Sequence, residues 1–429
     1  MNKPRIQSLF QLILNTPSLT WVLLGFLISY LLFFVRPIFF SSQVMQFPNY
    51  VPAIEPIGVD LKQMLSYSES WFIAKQTPYI GSNLYPPLAS VLFTPLLTVK
   101  LSLAYIIVTL VNVFSYVLIT LVLPLRIDKE RQVSSLLMLI FITGLFSYGF
   151  QFELERGQFN VIAAFICFLA IWIYHYHNRY RYIAYFLFTV SVQLKVFPFI
   201  FIVMLVTDWH NWKNNIKRFL VLSTVNFALF FALGPYVFVD FITAIKAQTI
   251  NPYIWVGNHS IRSFVTLVSN VASKYGWAWI NGYSGLVQLA LLAIITVCIF
   301  LIILQAYQQK QNGINSHLLL ACTIGSLLIP SVSHDYKLSI LAAPVAILFS
   351  DMSSFSQRAI RPRQRLIFIL LLFILSAAYS STLFSFTNKP FILKNNFPAL
   401  VTMLFAITCL SVTSKPSLDG KVSETKETA

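Results

Sequence analysis

The chain has 429 residues, of which 57% are apolar or aromatic and only 10% charged, against about 25% charged in soluble domains. Its mean hydropathy of +0.73 is gathered into runs of roughly 20 apolar residues, each able to cross a hydrocarbon core about 30 Å thick, which excludes a soluble globular fold. The runs are continuous rather than alternating, so a transmembrane β-barrel is excluded as well and an all-α polytopic membrane protein is predicted. The net charge of +16 does not point to nucleic acid. The cations collect in short loops, RIDKER at 126–131, RYR at 179–181, KNNIKR at 213–218 and RAIRPRQR at 358–365, as the positive-inside rule predicts for a cytoplasmic face. Cys167, Cys298, Cys322 and Cys409 all fall in apolar segments without CxxC spacing, so neither a disulfide framework nor a zinc site is indicated.

Taken in order, Lys3 and Arg5 precede a first run at 19–40, which reads as an uncleaved helix with its N-terminus inside. A polar stretch, 41–85, then forms the first extracytoplasmic loop. The chain returns through 101–124 and makes a pair at 133–150 and 160–174, with QFELERGQ at 151–158 outside and HYHNRYR at 175–181 inside. The segment 182–206 is one span long, carries Lys195 and Pro198, and is flanked by basic residues on both sides. A single crossing would invert every later loop and place 358–365 outside. A re-entrant pair broken at Lys195 keeps the basic loops inside, and such breaks occur where backbone lines a cavity rather than lipid.

Beyond it a helix is predicted over 219–239, a second large extracytoplasmic loop over 240–285, and further spans over 286–307, 317–330, 338–349, 366–384 and 397–412. The total is about 12 transmembrane helices in a single domain, 1–413, followed by a polar tail, 414–429, whose composition predicts a disordered cytoplasmic segment. This topology gathers Asp60, Glu69, Glu153, Glu155, Arg156, Lys195, Asn258, His259, Arg262, His334, Asp335 and Lys337 at the outer face. Ionisable groups at membrane depth are costly and mark a cavity or a pathway, which singles out Lys195 and the His334–Asp335 pair.

The local motifs each have an ordinary reading. The stretch 60–75 spaces Leu61, Met64, Leu65, Trp71 and Phe72 as a helix lying on the membrane surface would, with Asp60 as its N-cap. YPPL at 85–88 says that the chain turns and restarts. RGQFN at 156–160 opens a membrane helix as a polar cap would. Their order is more specific. An Asp in a long first outer loop is followed by YPPL and an apolar helix, by RGQxN opening a membrane helix, by K-x-x-P between basic loops, by GNxS at 257–260 and by SHD at 333–335. The series resembles the GT-C superfamily of lipid-phosphosugar-dependent glycosyltransferases, and within it glycosyltransferase family 87, the polyprenol-phosphate-mannose-dependent α-mannosyltransferases. It is similar, more distantly, to the eukaryotic mannosyltransferase that starts the glycosylphosphatidylinositol glycan.

The resemblance implies a GT-C fold and transfer of a hexose, by family default mannose, from a polyprenyl-phosphate-linked donor. The acceptor would be a glycolipid or glycan at the extracytoplasmic face of the cell membrane. The outer loops show no HxxH, CxxC or clear DxD cluster, so no metal or cofactor need be invoked, and the charge pattern indicates no nucleic-acid partner. It makes Asp60 the catalytic base, although Lys62 stands where many GT-C enzymes carry a second acid, which leaves Glu55 and Glu69 as substitutes. A leaving phosphate asks for fixed cations, and Lys195, Arg262, Arg156 and His334 fill that role. Gln158, Asn160, Asn258, His259, Tyr85 and Asp335 are the candidates for contacting sugar or acceptor. A transporter or flippase is the alternative from another class, since broken helices and intramembrane charge also mark transport sites. The absence of related halves and the collection of polar groups at one face weigh against it, as the lack of a larger outer loop weighs against a polysaccharide ligase.

Overall fold

In the computed structural model of the protein the described residues are 58–79, 81, 83–127, 135–145, 147–251, 253–255, 257–309, 313–353, 366–367, 370 and 395–413. Among them the fold is helical, with one isolated antiparallel bridge between Asn258 and His334. The predicted helix at 19–40, Glu55, most of 366–384 and the tail at 414–429 lie outside the described residues.

Helix α1, Val59–Phe72, forms where the apolar spacing predicts a helix. It buries Leu61, Met64 and Leu65 together with Asp60, Tyr67 and Ser68, so its apolar face packs into the body of the protein. Its N-cap is Gly58, in the left-handed region, with no side-chain cap bond. Asp60 therefore does not cap α1, and its carboxylate is available for longer-range contacts. Helix α2, Pro87–Leu92, starts where Pro87 occupies a position needing no N–H donor. Helix α3, Leu101–Ile127, runs through a π turn at Leu118–Val122. Helices α4, Ser135–Leu145, and α5, Tyr148–Arg156, follow as a bent pair.

Helix α6, Asn160–Tyr176, and α7, Arg181–Leu194, pack side by side as a hairpin. At Lys195 the backbone is extended (φ −147°, ψ 138°), and a 3-10 segment, Phe197–Met204, leads away. The chain then comes back to where α7 began: His175 Nε2 lies 2.8 Å from the Met204 carbonyl, and Arg218 Nη1 donates to the Leu205 carbonyl at 2.7 Å. Both basic flanks of 182–206 thus meet at one end of the bundle, with Lys195 at the other.

The helix predicted over 219–239 is two helices, α8, Trp212–Leu229, and α9, Pro235–Ile250. Gly234 (φ 107°) turns the chain, and the Pro235 ring cannot coexist with a helical carbonyl four residues back. The segment 240–285, expected as a loop, contains the rest of α9, the amphipathic α10, Ile261–Lys274, and a 3-10 turn at Ala278–Tyr283. Helices α11, Ser284–Gln309, α12, Ser316–Leu328, α13, Ala342–Ser353, and α14, Phe397–Thr413, complete the described fold. Helix α12 is buried on nearly every side by α11, α13, α14 and the 3-10 segment after Lys195, as a helix apolar all round requires. Two of the described helices, Leu101–Ile127 and Ala278–Gln308, are long and apolar enough to cross a membrane, and the pair α4 and α5 would add a third.

Candidate functional site

The site is built on the turn that links α5 to α6. Helix α5 ends at Gly157 (φ 66°, ψ 35°), where the Gly157 and Gln158 N–H groups close back on the carbonyls of Leu154 and Glu153. A Cβ at Gly157 would stand 2.9 Å from Leu61 Cβ, so the backbone angle and the approach of α1 both demand glycine. Glu153, with no exposed surface, accepts from the Val161 N–H (2.8 Å), Asn160 Nδ2 (3.2 Å) and Ser339 Oγ (2.9 Å). It satisfies the start of α6 from a neighbouring helix, where a carboxylate also complements the helix dipole.

This turn aims Arg156 and Gln158 at α1. Arg156 Nη2 donates to Asp60 Oδ1 at 2.5 Å, and Gln158 Nε2 donates to Asp60 Oδ2 at 2.5 Å. Lys195 Nζ donates to Gln158 Oε1 at 2.8 Å from the opposite side. Asn112, a polar residue inside α3, holds the Gln158 carbonyl through Nδ2 at 2.6 Å. Tyr85 is set by the Asn83 side chain, whose Oδ1 accepts the Tyr85 N–H at 3.0 Å, and its hydroxyl accepts from Gln158 Nε2 at 3.2 Å. Lys195 Nζ sits 4.3 Å from the Tyr85 ring centroid and 4.2 Å from that of Phe159, a desolvated cation–π arrangement. Burial, and then the negative Asp60, hold the Tyr85 phenol well above its ordinary pKa. Asp60 is 7% exposed. The cluster therefore holds a guanidinium, a lysine amine and a carboxylate, bridged by a single amide.

Next to it stands His334. Its Nδ1 accepts the Trp255 indole N–H at 2.9 Å, which puts the ring proton on Nε2. Burial, followed by the positive charges of Lys337, His259, Arg156 and Lys195, lowers its pKa to about 3. His334 is thus a neutral N–H donor in the free protein, not the fixed cation expected from the sequence. An aromatic row joins it to the Asp60 cluster: Tyr336 is 5.4 Å from the His334 ring, Phe152 is 5.7 Å from Tyr336, and the Arg156 guanidinium lies 6.0 Å from Phe152.

Asn258, His259 and Asp335 form a separate, fully buried network. His259 Nε2 and Asp335 Oδ1 are 2.7 Å apart, and His259 Nδ1 accepts the Asn396 N–H at 3.2 Å. The Asn258 amide is saturated, donating to the carbonyls of Tyr253 and Ser331 and accepting from the Ser260 and Ser333 N–H groups. A Cβ at Gly257 would fall 2.5 Å from Asp335 Oδ2. These residues pin the loop before α10 to the loop before α13 and to the start of α14.

Asn160 is buried against Glu153, whereas Arg262, on α10, makes no side-chain hydrogen bond or ion pair among the described residues, and Glu69 is exposed on α1. Glu153, Asn112 and Trp255 were not singled out from the sequence as site residues. An Asn in an apolar span is a readable signal, but the partner of a capping Glu eight residues from its target is not. No group of three His, Cys, Asp or Glu residues is placed to hold a metal among the described residues.

Glycosyltransferase family 87 matches residues 83–330, more than half of the chain. The matched segment contains Arg156, Gln158 and Lys195, while Asp60 and His334 flank it. No curated protein and no solved structure matches the chain. With that match over the turn, the α6–α7 hairpin and the loop before α10, the chain belongs to glycosyltransferase family 87, and it is a membrane glycosyltransferase of GT-C type.

Proposed function

We propose that the protein transfers a hexose, mannose by family default, from a polyprenyl-phosphate donor to a glycolipid or glycan acceptor at the extracytoplasmic face of the cell membrane, with Asp60 as general base. The observation that carries this reading is the bridged set Asp60–Gln158–Lys195 with Arg156 on the second carboxylate oxygen. Each carboxylate oxygen has a further lone pair for an acceptor hydroxyl. That hydroxyl attacks the sugar C1, its proton passes to Asp60, and the C1–O bond to phosphate breaks with the electron pair leaving on the phosphate.

The charges balance through the step. A donor phosphodiester carries one negative charge and Asp60 another, against Arg156 and Lys195. After transfer Asp60 is neutral and the released phosphate monoester carries two negative charges against the same two cations. Arg156 is freed from its carboxylate at the moment when charge develops on the leaving group, where a preorganised donor lowers the barrier. His334 adds a neutral N–H from Nε2. In this reading Asn258, His259 and Asp335 hold the loop that carries His334 and Trp255 rather than touching the sugar. In this reading 1–413 works as one domain, and helices α1 and α10, within the extracytoplasmic stretches 41–85 and 240–285, lie on the donor side.

The test uses purified protein in lipid vesicles with radiolabelled mannosyl phosphoryl polyprenol and a membrane extract as acceptor pool. Wild type transfers label, and Asp60→Asn, with an unchanged unfolding midpoint, loses about 10²- to 10⁴-fold in rate, the span usual for removal of a general base. Full activity in Asp60→Asn rules out the assigned base. No transfer by folded wild type from a panel of polyprenyl phosphosugars rules out the donor class.

A further inference from the structure

The end of the bundle remote from Asp60 carries a second concentration of charge that the transfer reaction does not use. Helix α6 has 17 residues, so Tyr174 lies roughly 20 Å along the axis from Asn160. The Tyr174 ring is fully buried and has two guanidiniums against it, Arg181 at 5.3 Å and Arg218 at 5.1 Å from the centroid. Arg218 is fixed, donating to the Leu205 carbonyl (2.7 Å), Asn215 Oδ1 (3.0 Å) and the Tyr185 hydroxyl (3.1 Å). Arg181 donates only to the exposed Asn178 (2.9 Å), and its Nε is buried with no hydrogen-bond partner among the described residues.

Neither guanidinium has an ion-pair partner among the described residues. Between Glu155 and Asp240 the sequence holds a single acid, Asp208, and that side chain turns to His210, accepting its N–H at 2.9 Å. Arg179, Lys213 and Lys217, near the pair in sequence, are exposed. Both α7 and α8 begin here, so two helix dipoles add positive potential to the same region. Neither helix has an acid in its first turn, although acids are the stabilising choice at a helix start. Cations gathered at two positive helix ends, with no acid paired to them among the described residues, make a favourable place for an external anion. Guanidinium forks match the geometry of phosphate oxygens, two of them share the Tyr174 ring here, and basic pockets between membrane helices at a cytoplasmic surface take anionic headgroups.

We propose that Arg181 and Arg218, seated on Tyr174, form a phosphate-binding site occupied by the phosphodiester headgroup of an anionic phospholipid. The chemistry is shared by free phosphate, so the experiment separates the two sources. The unfolding midpoint of the full chain in neutral detergent at low ionic strength is measured with phosphatidylglycerol, with phosphatidylcholine, or with inorganic phosphate. Phosphatidylglycerol is expected to raise the midpoint of wild type by several degrees and phosphatidylcholine to leave it unchanged. Arg181→Gln loses most of that increment, Arg181→Lys keeps part of it, and Arg179→Gln, which removes the same charge two residues away, keeps it in full. Each variant is read against its own lipid-free baseline, so a change in intrinsic stability does not imitate the effect. A wild type indifferent to phosphatidylglycerol, an increment undiminished in Arg181→Gln, or an equal loss in Arg179→Gln overturns the proposal. An equal increment from inorganic phosphate overturns the lipid as occupant.

Discussion

The side-chain amide of Gln158 joins two opposite charges without neutralising either: its N–H faces Asp60 and its carbonyl faces Lys195. A charged residue in its place would favour one neighbour and repel the other, whereas an amide presents a donor and an acceptor of fixed polarity. His334 is tuned in a different way. Its native pKa of about 3 lies below the ordinary value near 6.5. Between those two pH values the unfolded chain binds a proton that the native protein does not. The stability contributed by the neutral ring is therefore complete above about pH 6.5 and falls as pH drops from 6.5 toward 3, by at most about 1.4 kcal/mol per pH unit for one proton. His334→Gln, whose amide can still accept from Trp255, is expected to show a smaller fall in unfolding midpoint between pH 7.5 and pH 5 than wild type. An identical fall in both places the acid sensitivity elsewhere.

At the scale of elements, the turn between α5 and α6 carries most of the site, and glycine makes it possible. Gly157→Ala puts a Cβ into the left-handed region and against Leu61. A cost of about 1–3 kcal/mol is expected from the strain alone, with a lower unfolding midpoint and loss of transfer as Gln158 moves off Asp60. A variant as stable and active as wild type rules out this account of the turn. The RGQ string was legible as the opening of an apolar helix because Gly followed by polar residues before an apolar run is a local signal. The break at Lys195 was legible from charge, because basic flanks on both sides of one span conflict with a single crossing. That Asp60 is no cap was not legible, since the N-cap preference is local and the partners Arg156 and Gln158 lie 96 and 98 residues away. The break at Gly234–Pro235 had a signal, a Gly-Pro pair inside an apolar run, that hydropathy outweighed. The neutral state of His334 depends on burial, on the nearby Lys337 and on groups brought from three other places in the chain, His259, Arg156 and Lys195, and no spacing rule reports the burial or those three.

Over the whole molecule, hydropathy and loop charge were enough for a helical membrane protein, because a bilayer leaves few other ways to satisfy a backbone. They could not separate helices that face lipid from helices such as α12 that are apolar yet enclosed by protein. The path from His175 to Met204 is pinned at its base by the His175–Met204 and Arg218–Leu205 contacts and presents Lys195 at its tip. The length of α7, 14 residues or about 21 Å, therefore acts as a ruler that sets how far above the basic end the ammonium stands. Removing one turn from α7, four residues, together with three residues of the 3-10 segment shortens both arms by about 6 Å while leaving the base in place. Such a variant is expected to insert into membranes and resist proteolysis as wild type does, yet to transfer no sugar from the natural donor; retained transfer would show that the ammonium's height is not what the reaction measures. On that view the depth at which a lipid-borne phosphate is met is written in the chain as a residue count, and a change of bilayer thickness would be answered by insertion or deletion in α7 rather than by substitution at the charged tip.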